Sequence, residues 1–151
     1  MALKTAADTN GTIPTMIKIN ITSLAGELDI EIKQTDHQYN LIVMMSKSDY
    51  FQEAGKAWHA KIDDDQTITK IVSLIKACHT NPSLPKGITI CDGTFRKISL
   101  EDTVPIHLLL KDSYHANTNE SELLKSIFTY VCERIQDPVL EKYIHAFDDS
   151  K

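Results

Sequence analysis

Residues 16–33 read MIKINITSLAGELDIEIK, and their alternation decides the fold class. Ile17, Ile19 and Ile21 alternate with Lys18, Asn20 and Thr22. After the turn-like residues 23–26, Leu28, Ile30 and Ile32 alternate with Glu27, Asp29, Glu31 and Lys33. Successive side chains of a strand point to opposite faces, so a period of two marks a strand with one apolar and one polar face. Half-buried strands of this kind belong to an antiparallel sheet with one face on a core and one in water. The polar face of the second strand is strongly acidic.

The pattern extends toward the C-terminus. Tyr39, Leu41, Val43 and Met45 predict a third strand, apolar on both faces and therefore central in the sheet. Residues 46–55 fit either a loop or one helical turn. Trp58, Ala60 and Ile62, alternating with Ala57, His59 and Lys61, predict a fourth strand. The Asp63-Asp64-Asp65 run then changes the period. Ile68, Ile71, Val72, Ile75 and Cys78 follow helical spacing over about 66–79, with Asp65 placed as N-cap and Asn81-Pro82 as the stop.

A second β segment follows. Residues 88–91 and 94–100 flank Asp92-Gly93, a hairpin signal because type I′ turns need positive φ. Val104, Ile106, Leu108 and Leu110 predict a further strand; Pro105 cannot donate to a ladder, so the strand begins there or lies at an edge. Asn119 with Glu122 resembles a capping box ahead of a helix over about 120–135. Asp137-Pro138 pairs an N-cap with proline at the first helical position, and Leu140, Tyr143, Ile144 and Phe147 form the apolar stripe that follows. The expectation is an α+β fold: a mainly antiparallel sheet with helices packed on one face, as a single domain over residues 16–149. Residues 1–15, polar and rich in small side chains, are expected to form a flexible tail, with Met16 close to a natural start.

Composition narrows the function classes. A chain of 151 residues can bury roughly two thirds of its unfolded surface, enough for a core without metal or disulfide. The formal net charge is −5, and only Arg96 and Arg134 are arginines. An acidic, arginine-poor surface disfavours nucleic acid, which calls for basic stripes. The three cysteines, Cys78, Cys91 and Cys132, are odd in number, lie among apolar residues and form no C-x-x-C pair. Free thiols and a cytoplasmic location follow as expectations. No stretch reaches the ~20 apolar residues of a membrane span.

Catalytic, cofactor and metal motifs are missing from the sequence. There is no G-x-x-x-x-G-K-[ST], G-x-G-x-x-G or G-x-S-x-G pattern. Asp63, Asp64 and Asp65 could offer oxygen ligands to a hard cation, but the D-x-D-x-D-G spacing of a calcium loop is absent and helix capping accounts for them. The histidines His37, His59, His79, His107, His115 and His145 show no diagnostic spacing. No catalytic, cofactor-binding or metal-binding residue is therefore assigned.

What remains is charge. Glu27, Asp29 and Glu31 share one strand face, and the 63–65 run lies further on. Either these acids are a solvated surface or they dock a basic partner, since complementary charge speeds encounter. Trp58 is of the residue type that anchors interfaces, and equally of the type that fills cores. The partner-binding candidates are Glu27, Asp29, Glu31, Trp58, Asp63, Asp64 and Asp65. The strand acids and the helix-start acids are expected on different faces, so that one set matters and not both.

The stretch Cys91-Asp92-Gly93-Thr94-Phe95, followed by a strand and a capped helix, is similar to an arrangement in bacterial toxin-neutralising immunity proteins. The likeness covers about a quarter of the chain and carries over no residue roles. It implies a non-enzymatic protein that binds a basic toxin domain, such as a nuclease, and occludes its active site. The alternatives are a small hydrolase using histidine and carboxylates, and a structural or adaptor subunit.

Overall fold

The computed structural model describes residues 16–23, 26–35, 38–46, 55–62, 65–81, 95–101, 105–110 and 118–147. Six strands form one sheet: β1 (Met16–Ser23), β2 (Gly26–Thr35), β3 (Gln38–Met45), β4 (Lys56–Ile62), β5 (Phe95–Glu101) and β6 (Ile106–Leu110). Three helices accompany them: α1 (Asp65–Thr80), α2 (Thr118–Arg134) and α3 (Pro138–Phe147). The spatial order is β4-β3-β2-β1-β5-β6, and every neighbouring pair is antiparallel. The fold is the expected α+β single domain.

The register follows from the alternation. In β1–β2, Ile17 pairs with Ile32, Ile19 with Ile30 and Ile21 with Leu28. A slip of one residue would turn all six apolar side chains to the wrong face, so this register is strongly specified. Gly26 opens β2 with φ 137°, a conformation open to glycine and costly to residues with a Cβ. The rows continue across the sheet. Ile17 also faces Leu100 and Ile19 faces Ile98; Ile32 faces Leu41 and Ile30 faces Val43. Beyond these, Val43 faces Trp58 and Ile98 faces Leu108. All but the half-buried Trp58 are buried in the core.

The helices close this face. Ile68, Ile71, Ile75 and Cys78 of α1 lie at spacings of three, four and three, which bring them onto one stripe, and all are buried. α2 buries Leu123, Leu124, Ile127, Phe128, Tyr130 and Val131, a wider arc that suits a helix contacting both α1 and α3. α1 also lies against β6. Each helix joins the same hydrophobic cluster as the inward rows of the sheet.

α3 is fastened by specific polar contacts. Oδ1 of Asp137 accepts hydrogen bonds from the backbone N–H groups of Val139 (2.8 Å) and Leu140 (3.4 Å), with Pro138 at the first helical position. Oδ2 accepts from the Trp58 indole Nε1 at 3.0 Å, which ties the cap to β4. The Tyr143 hydroxyl donates to the Ser46 carbonyl at 3.2 Å, just beyond β3. The Trp58 hydrogen bond first, and the Val139 one second, hold the Asp137 carboxyl below the usual carboxylate range.

Several details depart from expectation. β3 is interior but one place from the edge; β1 and β2 occupy the centre because β5 and β6 add on the far side of β1. α2 begins at Thr118, so Asn119 lies inside its first turn; Glu122 reaches across to Lys70 of α1 at 3.3 Å. Asn119 is thus the second helical residue and not the cap, the helix starting two residues earlier than that cap would require. α1 begins with Asp65 as its first helical residue rather than with Asp65 as the residue before it. β6 starts directly after Pro105 and is also an edge strand, so both expectations for it hold. The Asp92-Gly93 hairpin falls outside the described residues, as do Cys91, Asp63 and Asp64.

Candidate functional site

The helices cover one face of the sheet, and among the described residues nothing packs on the other. That face carries the outward residues of all six strands in registered rows. One row runs His59, Ile42, Glu31, Lys18, Ser99, His107 from β4 to β6. The next runs Ala57, Met44, Asp29, Asn20, Lys97, Leu109. Every one of these side chains is exposed or half-buried. The parts of the two rows on β2, β1, β5 and β6, together with Met44, line a shallow hollow of about 710 Å³.

Two properties distinguish this surface. Met44 is 46% exposed and Leu109 36%; they are the exposed large hydrophobic side chains of the described residues, and both lie on this face in one row. They stand four strands apart, roughly 19 Å at about 4.8 Å per strand, with Asp29, Asn20 and Lys97 between them, so each is a single apolar contact point on a charged surface. The second property is charge balance. Lys18, Lys33, Lys61 and Lys97 share the face with Glu27, Asp29, Glu31 and Glu101, so it is neutral although the chain is at −5.

The strand acids are held in place. Nδ2 of Asn20 donates to Glu27 Oε2 at 2.9 Å and to Asp29 Oδ1 at 2.7 Å, and the Thr22 hydroxyl donates to Asn20 Oδ1 at 3.1 Å. One amide thereby bridges two carboxylates that would otherwise repel each other. The third acid, Glu31, stands beside Lys18 across the β1–β2 ladder. A column of three ordered carboxylates runs along β2 with lysine on its β1 side.

Of the partner-binding candidates, Asp63 and Asp64 lie outside the described residues. Glu27, Asp29 and Glu31 come together on the open face. Trp58 points the other way, in the inward row opposite Val43, with its indole N–H committed to Asp137. Asp65 starts α1, which packs on the covered face. Trp58 therefore does not share a face with the strand acids. Lys18, Asn20, Lys97, Met44 and Leu109 went unnamed as site residues. Alternation marks each as outward, but strand order brings them together, and no residue spacing encodes that order.

The other chemical groups lie apart. His59 and His107 sit on opposite edge strands of the open face, while His79 and His145 are exposed in the last turns of α1 and α3. His37 and His115 lie outside the described residues. Among the described residues no group of three histidine, cysteine or carboxylate side chains is placed to hold a metal ion. Cys78 is buried in the core; burial first, and the nearby Glu120 second, push its thiol up to about 11. Cys132 is a half-buried free thiol. Neither arginine reaches the open face: Arg96 is 1% exposed on the helix side of β5, and the Arg134 guanidinium lies 5.1 Å from the centre of the Tyr130 ring. No helix among the described residues is long and apolar enough to cross a membrane. No protein family and no curated protein matches the chain.

Proposed function

We propose that this chain is a non-enzymatic protein-binding domain that docks through the open face of its sheet. In its most specific form it is an immunity protein whose β2 acids, Glu27, Asp29 and Glu31, meet the basic surface of a toxin domain and occlude it. The observation that carries the docking reading is the set of ordered charges on the sheet face that no described helix covers, where Met44 and Leu109 also stand exposed. Interfaces of this composition combine apolar contact with a charged rim that sets register and encounter rate.

The hydrolase alternative needs a histidine within about 3 Å of a nucleophile or of a second polar group that orients it. Ser99 and His107 are register partners on β5 and β6, but Glu31 lies three strands from His107. At about 4.8 Å per strand that is roughly 14 Å of backbone separation, beyond direct reach. This spacing keeps His107 apart from the β2 acids, while Glu101 stands two residues from Ser99 on the same face of β5.

The deciding experiment uses the protein encoded beside this one in its genome. Stoichiometric binding that abolishes that protein's activity supports the reading. Changing Glu27, Asp29 and Glu31 together to lysine should then slow association at least about tenfold and flatten its salt dependence. A neighbouring product that neither binds nor is inhibited removes the toxin reading. Binding that the triple reversal leaves untouched removes the β2 acids from the interface.

A further inference from the structure

We infer that the open face also closes on a second copy of this chain, about a two-fold axis that runs along the strands between β1 and β2. That line is the midline of the sheet, with β2, β3 and β4 on one side and β1, β5 and β6 on the other. A two-fold axis lying in the interface along this line sets β2 of one copy over β1 of the other, β3 over β5 and β4 over β6. Each registered row then lies over itself, reversed.

The side chains fit this operation. Glu31 of one copy faces Lys18 of the other, and by symmetry the contact occurs twice. Asp29 faces Asn20, a neutral side chain whose two amide N–H groups are both committed to Glu27 and Asp29 of its own chain, so this pair adds no repulsion and no new hydrogen bond. Met44 faces Lys97, whose methylene stem can cover it while the ammonium stays in water. Leu109 faces Ala57, so the exposed leucine of one edge meets the small residue of the other. In the next row Lys33 faces Met16 and Glu101 faces Asn40. No lysine faces a lysine and no carboxylate faces a carboxylate in these rows, and at the edges His59 faces His107. An isologous interface must be complementary to itself, and here the acids and lysines already stand on opposite sides of the axis.

Charge and area agree with the geometry. The face is neutral while the chain carries −5, so the rest of the surface repels a second copy and this face does not. Six strands about 4.8 Å apart and about 20 Å long present roughly 600 Å² per copy. Two such faces bury about 1,200 Å², the lower end of the range for specific interfaces. Two sheets stacked face to face lie about 10 Å apart, and an axis along the strands keeps the strands of the two copies aligned. The inference rests on the open face being a docking surface, but not on the toxin reading. A partner using the same face would compete with the second copy.

The test is sedimentation of the full chain between about 1 and 200 µM, since an interface of this size is expected to give micromolar affinity. The expected result is a monomer–dimer equilibrium within that range. Lys18→Glu and Glu31→Lys should each weaken the dimer at least about tenfold, because each places like charges opposite one another twice. Mixing the two variants should restore association to within about threefold of the unaltered chain, since the acids of one then face the lysines of the other. Leu109→Ser leaves those charges intact and should also weaken the dimer, so the inference survives a charge variant that fails to fold. A chain that remains monomeric at about 200 µM overturns it. So does a dimer indifferent to all three substitutions, or a mixture that does not recover. A monomer in which Lys4 cross-links to Lys18 or Lys97 of its own chain would identify residues 1–15 as the occupant instead. Any of these failures leaves the docking reading to stand or fall on the neighbouring gene product.

Discussion

Ile32 and Lys33 are adjacent in β2 and should respond to truncation in opposite ways. Ile32 is fully buried between Leu41 and Ile17 in its row, under the helices. Ile32→Ala removes three carbons, worth about 2.4 kcal/mol at roughly 0.8 kcal/mol per buried methylene. The flanking strands are fixed by ladder hydrogen bonds, so the site can collapse only slightly. A residual void of roughly 60–80 Å³ adds about 1.5–2 kcal/mol at 24 cal/mol per Å³. The total is about 4 kcal/mol. For a domain of this size, that lowers the melting temperature by roughly 8–16 °C. Lys33 is exposed on the open face, and Lys33→Ala should stay within about 0.5 kcal/mol. Urea unfolding at low micromolar concentration, followed by far-ultraviolet circular dichroism, measures both. If Lys33→Ala costs as much as Ile32→Ala, or if Ile32→Ala costs under about 1 kcal/mol, the assignment of the two faces is wrong.

Two further outcomes concern single groups. The Asp137 carboxyl is held below its usual range by the Trp58 indole N–H and the α3 backbone, so its contribution is present above the ordinary carboxylate pKa and is lost as pH falls through the depressed folded value. Fluorescence of Trp58, the one tryptophan, should report a transition below the ordinary aspartate pKa, and Asp137→Asn should abolish it; a midpoint at or above the ordinary value refutes the contact. For Cys78 the sign is opposite. With its thiol raised to about 11, the folded protein keeps the proton where the unfolded chain begins to lose it, so stability contributed below pH 9 declines between 9 and 11. At pH 8 a maleimide reagent should modify Cys132 in the native protein and Cys78 only after unfolding, which peptide mass mapping reads directly.

Much of this structure was legible in the chain because alternation is a local property. Ile17, Ile19, Ile21, Leu28, Ile30 and Ile32 turn inward wherever their strands lie, since pleating fixes the face of each side chain from its neighbours alone. The Asp137-Pro138 helix start was legible for the same reason: its cap bonds span two and three residues. The starts of α1, one residue early, and of α2, two residues early, differ from expectation because aspartate and asparagine suit both the cap and the first turn, and position alone does not choose between them.

Strand order was not legible. Nothing in residues 95–101 states that β5 pairs with β1 rather than with β4, and that single pairing brings Lys97 to Asn20, places Leu109 in the row of Met44 and neutralises the β2 acids with lysine. Trp58 shows the same limit from the other side. Its residue type fits an interface anchor and a core filler equally, while its register opposite Val43 turns it to the helices and to Asp137, 79 positions away. The sequence by itself determined which face of each strand is apolar, where the helices lie and that the chain forms an antiparallel α+β domain. Only the tertiary structure decided which outward residues share a surface, because long-range pairing is chosen by the packing of the whole inward face, and the outward side chains go where that choice carries them.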